Sequence, residues 1–458
     1  MRRLSFIPRL LQDSDPALVI CIMFLPIVWG TIINIGAFSL EPFHISMFLI
    51  IGMTFYRPSA YGRAFAIIQY HWIFFVGFFA YLFLNLVSYI QTLDGKALDA
   101  FVIKQIAFVI MGLAVAVRVT ERRSMSATLY VGGALSMFTF LLALAYSAYT
   151  AGTSLVAALA GLVASGSYQA WTFGFLRHVF NAFSSHNAAA DLEFVTALKN
   201  NVATGLLIAY ICFRAGATRF HNNLGAKVVD IFISALFLVC IVMMLSRSVV
   251  LALLLVIMIV IVVDAIARNN ATVFISVLVA VAAGMVLFMA LPDTVIEALQ
   301  SRFEDTGSYD SRVEVYAIAI PLIEKHFWIG QGIGAPLPNP NDSIHNLFLS
   351  AWFNTGILGF LTSAWFWLTA VAMVCLRILE VMLGRYRSSY ELTIFHAWIA
   401  VVPIMGLFRC WLIGGGNLNF SAWFSLGLFF AILYQEKVMQ KVPAGQQKTG
   451  APLTALPR

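Results

Sequence analysis

Long apolar runs alternate with short polar ones along most of this chain. A helix needs about 20 apolar residues to cross the hydrocarbon core of a bilayer, and runs of that length recur throughout the sequence. The pattern predicts an all-α, polytopic integral membrane protein with about 12 transmembrane helices. The predicted spans lie near residues 17–36, 43–56, 71–90, 101–117, 127–149, 196–213, 228–246, 248–267, 271–290, 345–376, 392–413 and 418–434.

Two long segments interrupt this pattern and organise the rest of the chain. Residues 150–195 separate the fifth span from the sixth, and residues 291–344 form a large polar loop between spans 9 and 10. Long connections on one face of a membrane protein are typical of a protein that works at that face. The predicted divisions are spans 1–9 in 1–290, the large loop in 291–344, spans 10–12 in 345–434, and a disordered tail in 435–458.

Composition and charge agree with a membrane protein. Hydrophobic residues make up 61% of the chain and charged residues only 11%. The net charge of +7 does not indicate nucleic acid, because most basic residues lie in short loops between apolar spans, where they set topology. With both termini in the cytoplasm, nineteen of the 28 Lys and Arg residues are cytoplasmic, and the two long segments lie on the opposite side of the membrane. The other nine need another reason to exist: Lys96, Lys104, Arg177, Lys199, Arg247, Arg302, Arg312, Lys325 and Arg409.

Three of these arginines suggest anion binding. Arg247 lies between apolar runs, and a guanidinium at membrane depth is costly unless it meets an anion, a partner or water. Arg302 and Arg312 lie in the large loop with acidic residues nearby. Planar guanidinium groups bind phosphate oxygens bidentately. The alternatives are that Arg247 reaches lipid headgroups from a turn and that the loop arginines pair with acids. Arg177, in the segment 150–195, is a further candidate ligand.

His345 opens the predicted tenth span. Histidine is well suited to accept a proton from a sugar hydroxyl near neutral pH, and we expect Asp342 and Ser343 to cap the helix that follows. A lone histidine at a membrane interface is more often structural, so this alternative stays open. Competing histidines are His71, His221, His326 and His396.

The sequence predicts neither a metal nor a cofactor. It contains no His-x-x-x-His or Cys-x-x-Cys spacing, and the five cysteines all fall inside or at the edge of predicted spans. The run Gly330–Gly334 matches only half of a dinucleotide fingerprint, and no strand precedes it.

Four strings taken in order resemble the core domain of bacterial O-antigen ligases and Wzy-type polysaccharide polymerases. They are Arg312–Tyr316, Glu324–Gly334, His345–Leu349 and Thr355–Gly359, preceded by Ser246-Arg247, and the resemblance covers about residues 230–376. The family commonly has Trp at Tyr316, Pro at Phe327 and an acid at Asn354. The third difference removes a carboxylate.

The resemblance implies a metal-independent, inverting membrane glycosyltransferase of the bacterial inner membrane. Its donor would be an undecaprenyl-diphosphate-linked glycan, and its acceptor a glycan or lipid-core sugar at the periplasmic face. Arg247 and Arg312 would hold the diphosphate and His345 would activate the acceptor hydroxyl. Tyr316 and Asn346 are candidate substrate ligands within the same strings, while Arg302 rests on charge alone.

Two alternatives remain open from the sequence. Ligase and polymerase share these residues and differ only in acceptor. A lipid-linked sugar flippase or other polytopic transporter would also carry intramembrane arginine. Transporters, however, usually show internal repeats and modest loops, whereas this chain shows a large one-sided loop without a visible repeat.

Overall fold

The protein is a helical bundle with one short hairpin near its beginning. The computed structural model describes residues 12–27, 33–35, 38–40, 42–121, 125–150, 157, 192–217, 224–244, 246, 249–254, 257–258, 307–338, 344, 346–383 and 420–440. The helices are α1 (Pro16–Met23), α2 (Pro42–Phe55), α3 (Pro58–Tyr70), α4 (Trp72–Thr92), α5 (Gly95–Leu98), α6 (Lys104–Glu121), α7 (Ser126–Thr150), α8 (Leu192–Ala217), α9 (Leu224–Met243), α10 (Gly307–Lys325), α11 (Leu347–Met382) and α12 (Phe420–Gln440). A π-helical segment, Asp99–Ile103, leads into α6.

Four of the described segments are long and apolar enough to cross a membrane: Trp72–Thr92, Phe101–Thr120, Ser126–Tyr146 and Leu347–Arg377. Shorter apolar helices cover Phe43–Phe55, Val202–Ala217 and Phe420–Gln435. The chain is therefore a multi-pass helical membrane protein, as predicted. The number of spans stays a prediction, because 271–290 and 392–413 lie outside the described residues and 248–267 lies largely outside them.

The predicted first span, 17–36, is wrong as a single helix. Helix α1 ends at Met23 and a 3-10 turn, Leu25–Ile27, follows. Pro26 lies in that turn and has no N–H to continue an α-helix. Beyond it, strands β1 (Ile33–Ile35) and β2 (Phe38–Leu40) pair antiparallel, with Ile35 opposite Phe38. This hairpin is an exception to the all-α prediction.

Helix α3 was not predicted, because its 13 residues are too few and too polar to read as a span. It begins with Pro58 at its first position, where the missing N–H is no loss. Ala60, Ala64 and Ile67 are its buried residues, and the helix packs mainly on α6, with smaller contacts to α2 and α12.

The bundle is held together by close pairs of helices: α6 with α12, α7 with α8, α4 with α11, and α1 with α7. Small residues allow the closest approach, as is usual where lipid gives helices no hydrophobic reason to associate. Gly427 of α12 lies directly against the backbone of Gly112 on α6. Aromatic rings fill the space between α4, α11 and α12, where Phe78 meets Trp423 edge to face at 4.8 Å.

Candidate functional site

The part of the protein that carries the candidate residues is centred on a glycine turn that follows α10. This glycine turn, Gly330–Gly334, has positive φ angles at Gly330, Gly332 and Gly334. L-residues with a Cβ rarely adopt that region, so glycine allows the chain to fold back sharply here. The turn lies against a kink in α11 at Gly356, where φ is 71° and ψ is −167°.

The turn and the kink exchange backbone hydrogen bonds. The N–H of Gln331 donates to the carbonyl of Phe353 at 2.7 Å, and that of Gly332 donates to Asn354 at 3.0 Å. The N–H of Ile357 turns away from its own helix and donates to the carbonyl of Phe327 at 2.9 Å. The backbone groups of α11 at the break are therefore hydrogen-bonded to the segment that follows α10.

The two backbones approach too closely for side chains at the crossing. A Cβ at Gly330 would lie 2.6 Å from the backbone of Asn354 and Gly356. A Cβ at Gly356 would overlap the carbonyl of Trp328. The Thr355-Gly356 pair thus interrupts the long tenth span, and the segment that follows α10 crosses the span at that point.

Helix α4 anchors both sides of this crossing. Ser88 Oγ donates to the carbonyl of Asn354 at 2.6 Å and accepts from the N–H of Ile333 at 3.1 Å. One turn later, Thr92 Oγ1 donates to the carbonyl of Ile333 at 2.6 Å. Two hydroxyls from the first half of the chain therefore fix the glycine turn.

Helix α10 packs on the first part of α11 through a small apolar cluster. Val315, Ala319 and Ile323 lie on one face of α10, and they pack with Phe353 of α11 and with Ile344. Tyr316 is half-buried against the same cluster. Arg312 precedes Val315 by three residues, so its backbone position continues this face by helical register.

The N-terminus of α11 is capped by Asn346. Its Oδ1 accepts from the N–H groups of Phe348 and Leu349, at 3.0 and 3.1 Å. Asp342 and Ser343, the predicted caps, lie outside the described residues; the helix begins at Leu347, and Asn346 supplies the observed cap. The carbonyl oxygen of the Asn346 side chain, a predicted substrate ligand, is engaged with the helix.

The buried side chain of Asn354 has a structural setting. Its Nδ2 lies 3.5 Å from Ser350 Oγ, one turn earlier on α11. The neutral amide where the family commonly has an acid therefore points to a hydroxyl of its own helix.

Most of the predicted catalytic and binding residues lie outside the described residues. Arg247, His345, Arg302 and Arg177 lie outside the described residues, and for Arg312 only the backbone, within α10, is described. Ser246, which precedes Arg247, is buried. The structure brings together α10, with Arg312 and Tyr316, and the start of α11, with Asn346. That the arginines meet His345 stays a prediction.

Among the competing histidines, His71 and His326 are described. His71 lies between α3 and α4, where it is buried, and its Nε2 is 3.1 Å from the carbonyl of Phe430. A ring buried in this way is not accessible to a sugar hydroxyl. His326 lies in the turn after α10, where its carbonyl accepts from the N–H of Gly330. His221 and His396 lie outside the described residues.

Sequence reasoning missed Ser88 and Thr92. Each is a single hydroxyl in an apolar run more than 230 residues before its partner, and neither spacing nor charge singles it out. The positive-φ glycines could have been suspected from the density of glycine in Gly330–Gly334. Within the described part of the chain, no three His, Cys, Asp or Glu side chains lie close enough together to hold a metal ion.

Comparison with protein families agrees with the resemblance drawn from the sequence. Residues 232–364 match the family model described as O-antigen ligase. This range holds α9 from Phe232 onward, α10, the glycine turn, and α11 beyond its kink. No curated protein matches the chain significantly.

Proposed function

We propose, on the premise that residues 232–364 form an O-antigen ligase domain, that the protein is a membrane glycosyltransferase. It transfers an undecaprenyl-diphosphate-linked glycan to an acceptor sugar at the periplasmic face of the bacterial inner membrane. Ligation to a lipid-core sugar and polymerisation of a surface polysaccharide both fit this chemistry. Arg312 and Arg247 bind the diphosphate, and His345 acts as general base.

The observation that carries the proposal is the packing of α10 on the first part of α11. Both segments run towards the crossing, where Phe327 is bonded to Ile357. Tyr316 and Asn346 each precede their side of the crossing by eleven residues, about 17 Å at 1.5 Å per residue. The shared apolar cluster contains residues of both segments, Val315, Ala319 and Ile323 of α10 and Phe353 of α11, so the two pack against each other. Arg312 precedes Tyr316 by four residues and His345 precedes Asn346 by one in the sequence, so this arrangement supports their meeting at one end of the pair.

The proposed chemistry needs few groups. Diphosphate is a good leaving group, and arginines that stabilise the charge developing on it can replace a metal. The acceptor hydroxyl attacks the anomeric carbon while His345 takes its proton, and the bond to the diphosphate oxygen breaks. Attack from the opposite face inverts the anomeric centre.

Tyr316 completes the proposed site from α10. It lies one turn after Arg312, and its half-buried ring packs beside the apolar cluster. An aromatic ring at this position suits the apolar face of a sugar. Arg302 and Arg177 are further candidate ligands, supported by charge and location in the two long segments alone.

Replacement of the proposed residues tests the function directly. Arg312→Ala and His345→Ala should abolish surface glycan when they are expressed in a strain that lacks this protein, and Arg312→Lys should restore little because it loses bidentate geometry. Lys325→Ala is the matched control, because Lys325 is an exposed basic residue at the other end of α10. Each variant must first be shown to reach the membrane at normal amounts. Full glycan from both alanine variants would overturn the proposed site.

The products made by a deletion strain distinguish the two acceptors. Loss of polymer ladders with single repeats remaining indicates a polymerase, whereas unligated polymer on its lipid carrier indicates a ligase. A reporter fused within 291–344 tests the side of the membrane, and a cytoplasmic signal would exclude a periplasmic site.

A further inference from the structure

The turn that follows α10 exposes two large apolar side chains. Trp328 is 73% exposed and Ile329 is 65% exposed, although their backbones are fixed against the kink of α11. We call this pair the interfacial turn, Trp328–Ile329. Large apolar groups held rigidly at a surface mark a place where something other than water covers them.

The position of the interfacial turn along α11 identifies the covering. Its backbone lies at Gly356 and Ile357, and immediately after that point α11 exposes an apolar stripe at helical spacing: Leu358, Leu361, Trp365, Leu368 and Leu376. From Ile357 to Leu376 the helix rises about 29 Å at 1.5 Å per residue. That rise equals the hydrocarbon thickness of about 30 Å. Arg377, which pairs with Glu380 at 2.7 Å, is the first charged residue of α11 after Ile357, and exposed leucines continue beyond it at Leu379 and Leu383.

Helix α4 gives the same level independently. It runs from Trp72 to Thr92, about 30 Å at 1.5 Å per residue. Its last turn holds Thr92, whose hydroxyl is bonded to the glycine turn. The end of α4 and the kink of α11 therefore both lie beside the segment that contains the interfacial turn.

The exposed side of α10 carries both apolar and charged residues, with Glu314 exposed near Arg312 and Glu324 exposed near the turn. Val313, Ala317 and Ile320 share one exposed face, and Glu324 continues that face one turn later. A helix with this mixture is suited to the headgroup region, where apolar and charged groups are both accommodated. Tryptophan is the side chain most typical of that boundary.

We propose that the interfacial turn is inserted into the lipid leaflet at the hydrocarbon boundary and anchors the end of α10 there. The partner is bilayer lipid rather than a protein, because the turn continues the lipid-facing stripe of α11 without a gap. Taken with the proposed function, on which this further step rests, the insertion anchors the end of α10, the helix that carries Arg312, beside the leaflet from which a lipid-linked donor arrives. The turn itself would then lie at the level of the donor's isoprenoid chain in the same leaflet.

Depth-dependent fluorescence quenching tests the insertion. Trp328→Cys, Ile329→Cys and, as the matched control, Glu324→Cys are labelled with an environment-sensitive fluorophore in the full chain. Cys375, which is exposed, and Cys410 are replaced in the background. The proteins are reconstituted in lipid nanodiscs, which leave both faces open to reagents. Quenching by lipids brominated on the acyl chain is compared with quenching by aqueous iodide.

We expect the labels at 328 and 329 to be quenched mainly by brominated lipid, and the label at 324 mainly by iodide. Iodide quenching at 328 and 329 as strong as at 324 would overturn the proposal. Protection from both quenchers would also overturn it, because it would show a protein covering. The quenching result does not depend on catalysis. Active-site variants that keep full glycan transfer would therefore overturn the proposed function without overturning the proposed insertion.

A functional variant links depth to transfer. Trp328→Glu should lower glycan transfer and shift the label at 329 towards iodide, whereas Trp328→Leu should keep both near the parent. Equal transfer by the two variants, with the label at 329 still quenched by lipid, would show that this Trp does not set the depth.

Discussion

Ser88 of α4 donates a 2.6 Å hydrogen bond to the carbonyl of Asn354 in α11. The same hydroxyl accepts from the N–H of Ile333, so one side chain joins three separate parts of the chain. Residue 88 lies well before the matched domain, 232–364. The domain's central crossing therefore depends on a span that the family match does not include.

Ser88→Ala should loosen the crossing, because the buried N–H of Ile333 loses its acceptor. An unsatisfied buried group of this kind costs about 1–3 kcal/mol. Thr92→Val should have a smaller effect of about 0.5–1.5 kcal/mol, and Thr92→Ser, which keeps the hydroxyl, should stay close to the parent. Thermal unfolding in nanodiscs measures these differences.

Thr362→Val provides the control for these hydroxyls. Thr362 is on α11, and its hydroxyl bonds only to carbonyls of its own helix, at 2.8 and 3.2 Å. Its replacement should leave stability and transfer unchanged. If Ser88→Ala behaves like Thr362→Val, the anchoring role of α4 is wrong.

The crossing should not tolerate a methyl group on either glycine. Gly356→Ala places a Cβ on the carbonyl of Trp328 and requires a positive φ that costs about 1–2 kcal/mol by itself. Gly330→Ala meets the backbone of α11 at 2.6 Å. Both variants should unfold at lower temperature and lose most transfer activity.

Gly62→Ala distinguishes this effect from a general sensitivity to alanine. Gly62 lies in α3 with open space around it, and alanine there should stabilise the helix by about 0.5–1 kcal/mol. A Gly356→Ala protein as stable as Gly62→Ala would contradict the close approach.

The sequence predicted the helices best where an apolar run and a helix have the same limits. The run 71–90 became α4 and the run 43–56 became α2, because both have helical length and clear ends. The run 17–36 failed because Pro26 divides it. Helix α3 was not predicted, because only Ala60, Ala64 and Ile67 of its 13 residues are buried.

The site was predictable in part. The order of motifs indicated the domain, and the kink at Gly356 lies within the Thr355–Gly359 string. The bonds from Ser88 and Thr92 could not be predicted, since they join residues more than 240 positions apart through single hydroxyls. Such pairing depends on how α4 and α11 pack, which no local pattern contains.

Arg118 shows how a topology signal can have a second role. The charge distribution assigns it to a cytoplasmic loop, yet it is nearly buried and pairs with Asp15 at 2.8 Å. Its Nε donates to Thr54 at 3.0 Å, so it joins α1, α2 and α6. Arg118→Met should destabilise the protein by about 3–5 kcal/mol, because it leaves a buried carboxylate without its cation.

The double variant Asp15→Asn with Arg118→Met should recover much of that loss. Asn keeps an oxygen for the N–H groups of Ala17 and Leu18, which Asp15 caps at 3.0 and 3.2 Å. Arg57→Ala is the surface control, since Arg57 is exposed and its ion pair with Glu121 is long, at 3.9 Å. Unfolding midpoints that fall equally for the single and double variants would mean that the charge pair is not the cause.

Asn346 separates a helix cap from a substrate ligand at the start of α11. Asn346→Ala removes the acceptor for Phe348 and Leu349, which should cost about 1 kcal/mol and displace the neighbouring His345. Asn346→Ser and Asn346→Asp keep a capping oxygen, so a capping role predicts near-parent stability and transfer for both. If instead Asn346→Ser is stable but its KM for donor or acceptor rises while the unfolding temperature holds, the amide contacts substrate. Measuring KM, kcat and unfolding on the same preparations therefore assigns Asn346 to one role or the other.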